Sequence, residues 1–373
     1  MKRFILNLLR YLLLPFSVLY GIIVAIRNKM YDSGVLTSVS FSVPVICVGN
    51  LTAGGTGKSP MIEYLIVLLR NQYHLATLSR GYKRYTRGFR LADAGSDARI
   101  IGDEPFQFKR KFPEVEVCVA EERMTAIPLL LQQRPYTEVI LLDDAFQHRS
   151  VKAGLNILIT DYHRLYTRDQ ILPFGLLRES KSAADRADLI IVTKCPDHID
   201  KDAVVRELAP REHQSVFFSR ICYEKKYPVF PGSFHANHPE YVLMICGIAH
   251  PEPLQKQLET EYTMVYPLIY KDHHYFSIDD LDEIQDAFDA IDSENKIMIC
   301  TEKDAGRLMV YQEEIIRRGW PLFVQPIRME FLFQEDPAFN NKITNFIKSI
   351  LPDPELEIVE EDHNLSAGTI PDA

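Results

Sequence analysis

The stretch Val43 to Leu69, VPVICVGNLTAGGTGKSPMIEYLIVLL, constrains this chain more than any other. An apolar, β-branched run ends at Asn50, a glycine-rich turn follows, and a helix-type apolar pattern begins after Lys58–Ser59. Strand, loop and helix in that order is the context in which a phosphate-binding loop works. Gly54, Gly55 and Gly57 let main-chain N–H groups approach a polyphosphate without Cβ clashes. The helix start offers the positive end of its dipole to the same anion. The spacing assigns Thr52, Ala53, Gly54, Gly55, Thr56, Gly57, Lys58 and Ser59 to the phosphates of a nucleotide, with Lys58 reaching the β- and γ-phosphates and the Ser59 hydroxyl on Mg²⁺. Thr52 departs from the pattern, which has glycine there. The competing reading is a glycine-rich hairpin beside an exposed lysine, and the flanking strand and helix disfavour it.

A chain of 373 residues implies two domains or one with a large appendage. Charge is distributed unevenly. Residues 1–90 carry 12 Lys and Arg against Asp32 and Glu63, a net of +10, which suits phosphates or anionic headgroups. Residues 352–373 carry seven acidic residues and no Lys or Arg, and read as a disordered tail. Six scattered cysteines without a CxxC pair fit a reducing compartment and argue against a disulfide framework or a zinc site. No aromatic–basic module points to nucleic acid.

Residues 4–26 are apolar except for Asn7, Arg10 and Ser17, about the length of a bilayer-crossing helix. Arg10 and Pro15 count against a simple span. A signal peptide lacks its small-residue cleavage site, and a soluble core helix would be unusually apolar all round. The preferred reading is a membrane anchor or interfacial helix with Lys2, Arg3, Arg10, Arg27 and Lys29 at headgroup level; spanning and lying flat both stay open.

Further on, HLATLSRGYKR (74–84) reads as a strand ending in a basic turn, placing Arg80, Lys83 and Arg84 at the sheet edge where α/β proteins bind ligands. Asp103–Glu104–Pro105 by itself is no more than an acidic helix start. The run Val139–Leu142 ending in Asp143–Asp144 is the arrangement by which a carboxylate reaches Mg²⁺, with Gln147 and His148 close behind. Strands are also expected at 156–166, 187–196, 241–249, 296–304 and, as a last strand, 322–331, with the domain junction at 215–235. The expectation is an α/β protein: a membrane-associated helix over 1–30, a doubly wound phosphate-loop domain over 31–220, a smaller α/β domain over 221–351, and the tail.

The ordered set GNLTAGGTGKSP, SRGYKR, GDEP, DDAFQHR, LPFGLLRE, CGIA, DHHYFS and TEKDAGRL resembles the tetraacyldisaccharide 4′-kinase (lipid A 4′-kinase) family over most of the chain. The resemblance implies a kinase, monomeric and on the cytoplasmic side of the inner membrane, that moves the γ-phosphate of ATP onto the 4′-hydroxyl of a lipid A disaccharide precursor with Mg²⁺. It makes Asp103 the candidate base and a histidine of the DHH pair its partner, taken as His273 with His274 the alternative. It assigns Asp143 and Asp144 to Mg²⁺, and Glu104, Arg123, Gln147, His148, Arg178 and Glu179 to substrate or supporting contacts. A membrane-attached NTPase switch or transport factor is the rival from another class; it would need neither Asp103 nor His273.

Overall fold

Fourteen short strands carry the apolar runs of the sequence and form two sheets in the computed structural model, which describes residues 11–230 and 239–351. The first eight are β1 (Val45–Asn50), β2 (Leu75–Ser79), β3 (Arg90–Leu91), β4 (Glu116–Val119), β5 (Val139–Asp143), β6 (Leu155–Asp161), β7 (Leu189–Thr193) and β8 (Ser215–Tyr223). Then come β9 (Tyr227–Pro228), β10 (Tyr241–Cys246), β11 (Met264–Ile269), β12 (Lys296–Thr301), β13 (Leu322–Gln325) and β14 (Ile327–Phe331).

The larger sheet has the order β14-β8-β7-β6-β1-β5-β2-β4-β3, parallel except at its two edges. Successive residues of its central strands face opposite helical layers. Ile46, Val48, Leu141 and Ile157 meet the helices Lys58–Leu69 and Asp336–Ile350. Cys47, Ile140 and Leu142 meet the helix Arg123–Gln133. Burial on both faces is why these strands read as continuous apolar runs. The chain moves to one side of β1 for β5 and β2 and to the other for β6 and β7, so the phosphate loop leaves the sheet at its switch point, where ligands of such folds bind.

The smaller sheet, β11-β10-β12-β13-β9, is parallel except for β9 and has its own core around Leu243, Met298, Ile284 and Trp320. The expected last strand 322–331 is in fact two. Pro326 lacks an N–H and interrupts the ladder, so β13 stays in the smaller sheet between β12 and β9 while β14 crosses back to pair antiparallel with β8. Helix Asp336–Ile350 then buries Phe339, Ile343 and Ile347 in the larger unit's core.

The first described helix, Leu14–Asp32, turns its polar side inward. Ser17 donates to the Ile171 carbonyl (3.1 Å), Tyr20 to that of Arg178 (3.0 Å), and Asn28 to the Glu179 carboxylate (2.6 Å). Phe16, Leu19, Ile22, Ile23 and Ile26 stay exposed, each by more than half. Among the described residues no helix is long and apolar enough to cross a membrane. Residues 4–10 of the apolar run, residues 231–235 of the expected junction and the acidic tail 352–373 lie outside the described residues.

Candidate active site

β1 delivers Asn50 to the start of the phosphate loop, where its side chain is fully buried and donates to the Thr52 carbonyl (2.5 Å) and the Thr56 hydroxyl (2.8 Å). Gly54 and Gly57 have φ of 117° and 97°, a region glycine enters without strain. Gly57 caps the helix Lys58–Leu69, and Pro60 sits in its first turn, where no N–H is needed. Thr52, standing where the common pattern has glycine, pairs with Leu177 as an isolated bridge; Ala53 N–H to the Leu176 carbonyl (2.8 Å) and Arg178 N–H to that of Leu51 (2.8 Å) complete the join. The loop LPFGLLRE thus braces the phosphate loop on one flank.

Neighbouring β5 ends on Asp143, in register with Val48, and the chain turns sharply through Asp144 at φ 49°. Lys58 Nζ lies 3.2 Å from Asn50 Oδ1 and 3.5 Å from Asp144 Oδ1, which also accepts from Arg178 (2.8 Å). Asp143 is buried and its Oδ1 has no hydrogen-bond partner. Burial, then the charge of Asp144, pushes its carboxyl up to about 7. Burial works against ionising Asp144 too, but Lys58 and Arg178 outweigh it and hold that carboxyl below its usual range. An unsatisfied buried carboxylate oxygen beside a second acid and a lysine is a donor set suited to Mg²⁺, which takes few protein oxygens and keeps phosphate and water for the rest. The described residues contain no cluster of three or more His, Cys, Asp and Glu that would hold a metal unaided.

Gln147 and Arg178 frame this corner: Gln147 donates to the Asn50 carbonyl (3.0 Å) and accepts from Arg178 (3.3 Å). Arg123 is wholly buried, donating to the Ala120 and Glu121 carbonyls (3.1 and 3.0 Å) while its Nε and second terminal nitrogen find no partner. Its burial lowers it to about 10, with Asp143 and Asp144 acting against that. His148 is pushed down to about 4 by burial and the nearby Arg123, so it is neutral at pH 7. Glu179 instead ties Asn28 of the first helix to Arg186 (3.1 Å).

A second cluster forms where the two units meet. Gly102, at φ 95°, turns the chain so that Asp103 opens the helix Asp103–Lys111. One carboxylate oxygen, Oδ2, meets His273 Nδ1 at 2.9 Å and the Arg307 guanidinium at 2.6 Å; the other, Oδ1, is buried with no partner. Burial alone would raise Asp103, yet the hydrogen bonds from His273 and Arg307 win and hold it at about 2. Arg307 is itself anchored by Asp304 (2.9 Å) and the Gly247 carbonyl (2.8 Å), and the Gly247 N–H donates to Asp304 (3.1 Å). Two distant stretches, at His273 and Arg307, therefore converge on one carboxylate, with Gly247 bracing the arginine. His274, by contrast, stacks on Tyr270 and meets Asp280 (3.0 Å) within the capped start of the helix Ile278–Asp289. Glu104 pairs across the junction with Lys303 (2.6 Å). Arg307 was not singled out from the sequence, although Asp304 and Arg307 at i, i+3 on one helix face were visible in TEKDAGRL.

Beside this cluster lies an open groove of about 450 Å³ lined by Arg80, Tyr82, Lys83, Tyr85, Arg87 and the Arg84–Glu121 ion pair (2.7 Å). The Tyr82 ring packs edge-on against His273, and Tyr275 of the smaller unit donates to the Lys83 carbonyl (3.3 Å).

A sequence profile described as tetraacyldisaccharide-1-P 4′-kinase matches residues 9–348. The tetraacyldisaccharide 4′-kinase of Bacteroides thetaiotaomicron is 44% identical over 355 residues, covering 90% of this chain and 93% of that protein. That of Flavobacterium johnsoniae is 45% identical over 350 residues, covering 92% and 99%. Among solved structures, LpxK from Aquifex aeolicus in complex with ATP superposes with a TM-score of 0.71 at 28% identity, covering 91% of this chain and 99% of that one.

Proposed function

This chain belongs to the tetraacyldisaccharide-1-P 4′-kinase family, and from that premise we propose how its residues divide the work. It is an ATP-dependent kinase that phosphorylates the 4′-hydroxyl of a tetraacyldisaccharide 1-phosphate in lipid A biosynthesis. The main-chain amides of 54–59 and the Lys58 ammonium hold the β- and γ-phosphates. Asp143, Asp144 and Ser59 would hold Mg²⁺, which when bound offsets the charge on the transferred phosphoryl group. Arg178 and Arg123 add positive charge around the same phosphates.

The observation that carries this reading is the environment of Asp103. Two donors saturate Oδ2 and keep the group ionised, while the buried Oδ1 is left to accept. The sugar oxygen attacks the γ-phosphorus, its proton passes to Oδ1, and ADP leaves. A carboxylate held at about 2 is a weak base. It suffices because bonding to the attacking hydroxyl lags behind departure of the leaving group, so orientation counts for more than early proton removal. His273 and Arg307 thus position the base, and docking of the smaller unit supplies both.

The basic groove of Arg80, Lys83 and Arg87 suits the phosphorylated disaccharide. The exposed apolar face of Leu14–Asp32 suits the acyl region of a bilayer and supports the reading of a monomeric enzyme that rests on the cytoplasmic face of the inner membrane, with the lipid headgroup within reach. The test is transfer from γ-labelled ATP to a tetraacyldisaccharide 1-phosphate. Asp103→Ala and Lys58→Ala should each lower kcat by about 10²–10⁴ with the fold intact by circular dichroism. Wild-type turnover by Asp103→Ala would exclude it as the base.

A further inference from the structure

Two carbonyls of the phosphate loop, those of Gly55 and Thr56, are held by side chains at the end of β7, one of them steadied from β6. Thr193, the buried last residue of β7, donates its hydroxyl to the Thr56 carbonyl (2.6 Å), nearer than its other acceptor, the Thr160 carbonyl (3.2 Å). Lys194, next in the chain, occupies the left-handed region at φ 56°. Its ammonium donates to the Gly55 carbonyl and to Asp161 Oδ2 (2.7 Å) at the end of β6. Gly57 packs directly on Thr193, with the place of its absent Cβ 3.5 Å from the threonine side chain.

In a planar trans peptide the C=O of one residue and the N–H of the next point in opposite directions. Turning the Gly55 carbonyl to Lys194 therefore turns the Thr56 N–H the other way, and turning the Thr56 carbonyl to Thr193 does the same for the Gly57 N–H. A loop with glycines at 54, 55 and 57 has little intrinsic preference for that arrangement, so without a clamp it would have to be ordered as the ligand binds. We propose that Thr193 and Lys194, with Asp161 steadying the lysine, are positioning residues that pre-aim the Thr56 and Gly57 amides at the bound polyphosphate. They act through the loop and do not touch the nucleotide base. This rests on the reading that the loop holds the phosphates of ATP.

The test uses the full-length chain and two ligands, magnesium-ATP and magnesium tripolyphosphate, titrated calorimetrically. Lys194→Met and Thr193→Val each weaken both ligands by the same factor, about tenfold, the worth of one pre-formed polar contact. Thr193→Ser keeps the hydroxyl and stays within about threefold of wild type. The KM for the lipid acceptor does not move. If Lys194→Met weakens ATP but leaves tripolyphosphate unchanged, the lysine reads the nucleoside and the clamp is wrong. If neither ligand is affected, it is wrong as well. Failure of the wild-type chain to bind either ligand would instead sink the phosphate-loop assignment itself.

Discussion

At the scale of single residues, Asp103 joins stability to chemistry. Its carboxyl ionises at about 2 in the folded chain against an ordinary 3.8, so the native state favours the anion. The stabilisation is complete above the unfolded value and is lost as pH falls through about 2. The shift corresponds to about 2 kcal/mol. Urea unfolding of wild type and Asp103→Asn from pH 6 downward should show a wild-type advantage of that order at pH 5, shrinking between pH 4 and 2. A constant gap across the range would mean that Asp103 is not ionised by its partners. The same geometry separates His273 from its neighbour. His273→Ala should lower kcat by about tenfold or more, whereas His274→Ala, which removes a helix-start contact, should mainly reduce stability.

At the scale of elements, three helices are tied by one buried ion cluster. Lys111, from the helix Asp103–Lys111, reaches Glu63 on the phosphate-loop helix (2.7 Å) and Glu302 at the start of the helix Glu302–Leu308 (2.9 Å). Gln107 also donates to Glu63 (2.6 Å). Burial, then the charge of Glu302, pushes Glu63 up to about 7 from an ordinary 4.5. Because its folded value is raised, this carboxyl favours folding when protonated, and its contribution falls as pH rises from about 4.5 to 7. Lys111→Met leaves two buried acids without their cation and should cost about 3–5 kcal/mol in denaturant unfolding at pH 7.5. The loss should shrink at pH 5.5, where Glu63 is protonated. A pH-independent loss would point to packing of the lysine stem instead.

At the scale of the whole molecule, the first helix reverses the usual pattern, with polar groups against the protein and aliphatic ones outward. Its inner contacts run through Tyr20 to the Arg178 carbonyl, and the Arg178 side chain reaches Asp144, so the first helix and the phosphate corner share one loop. Replacing Leu19, Ile22, Ile23 and Ile26 with Gln removes apolar surface worth about 1.5–3 kcal/mol per side chain on burial. The variant should stay in the supernatant when sedimented with anionic vesicles, while its affinity for magnesium-ATP is unchanged. Undiminished sedimentation would show that this face is not the membrane contact.

The sequence determined by itself whatever depends on neighbours along the chain. The glycine spacing of 54–57 and Asp143–Asp144 at the end of an apolar run act within a few residues, and local chemistry suffices to read them. Asp103 was legible only through the resemblance, since a carboxylate at a helix start has an ordinary explanation in the helix dipole. Tertiary structure alone decided what depends on distant segments meeting. It brought Arg307 and His273 to one oxygen of Asp103, turned Lys194 onto the phosphate loop, and returned residues 327–350 to the larger sheet after Pro326 broke the ladder. Such contacts leave no periodicity in the chain: a buried ion pair reads as two ordinary charged residues until folding removes the water from around them.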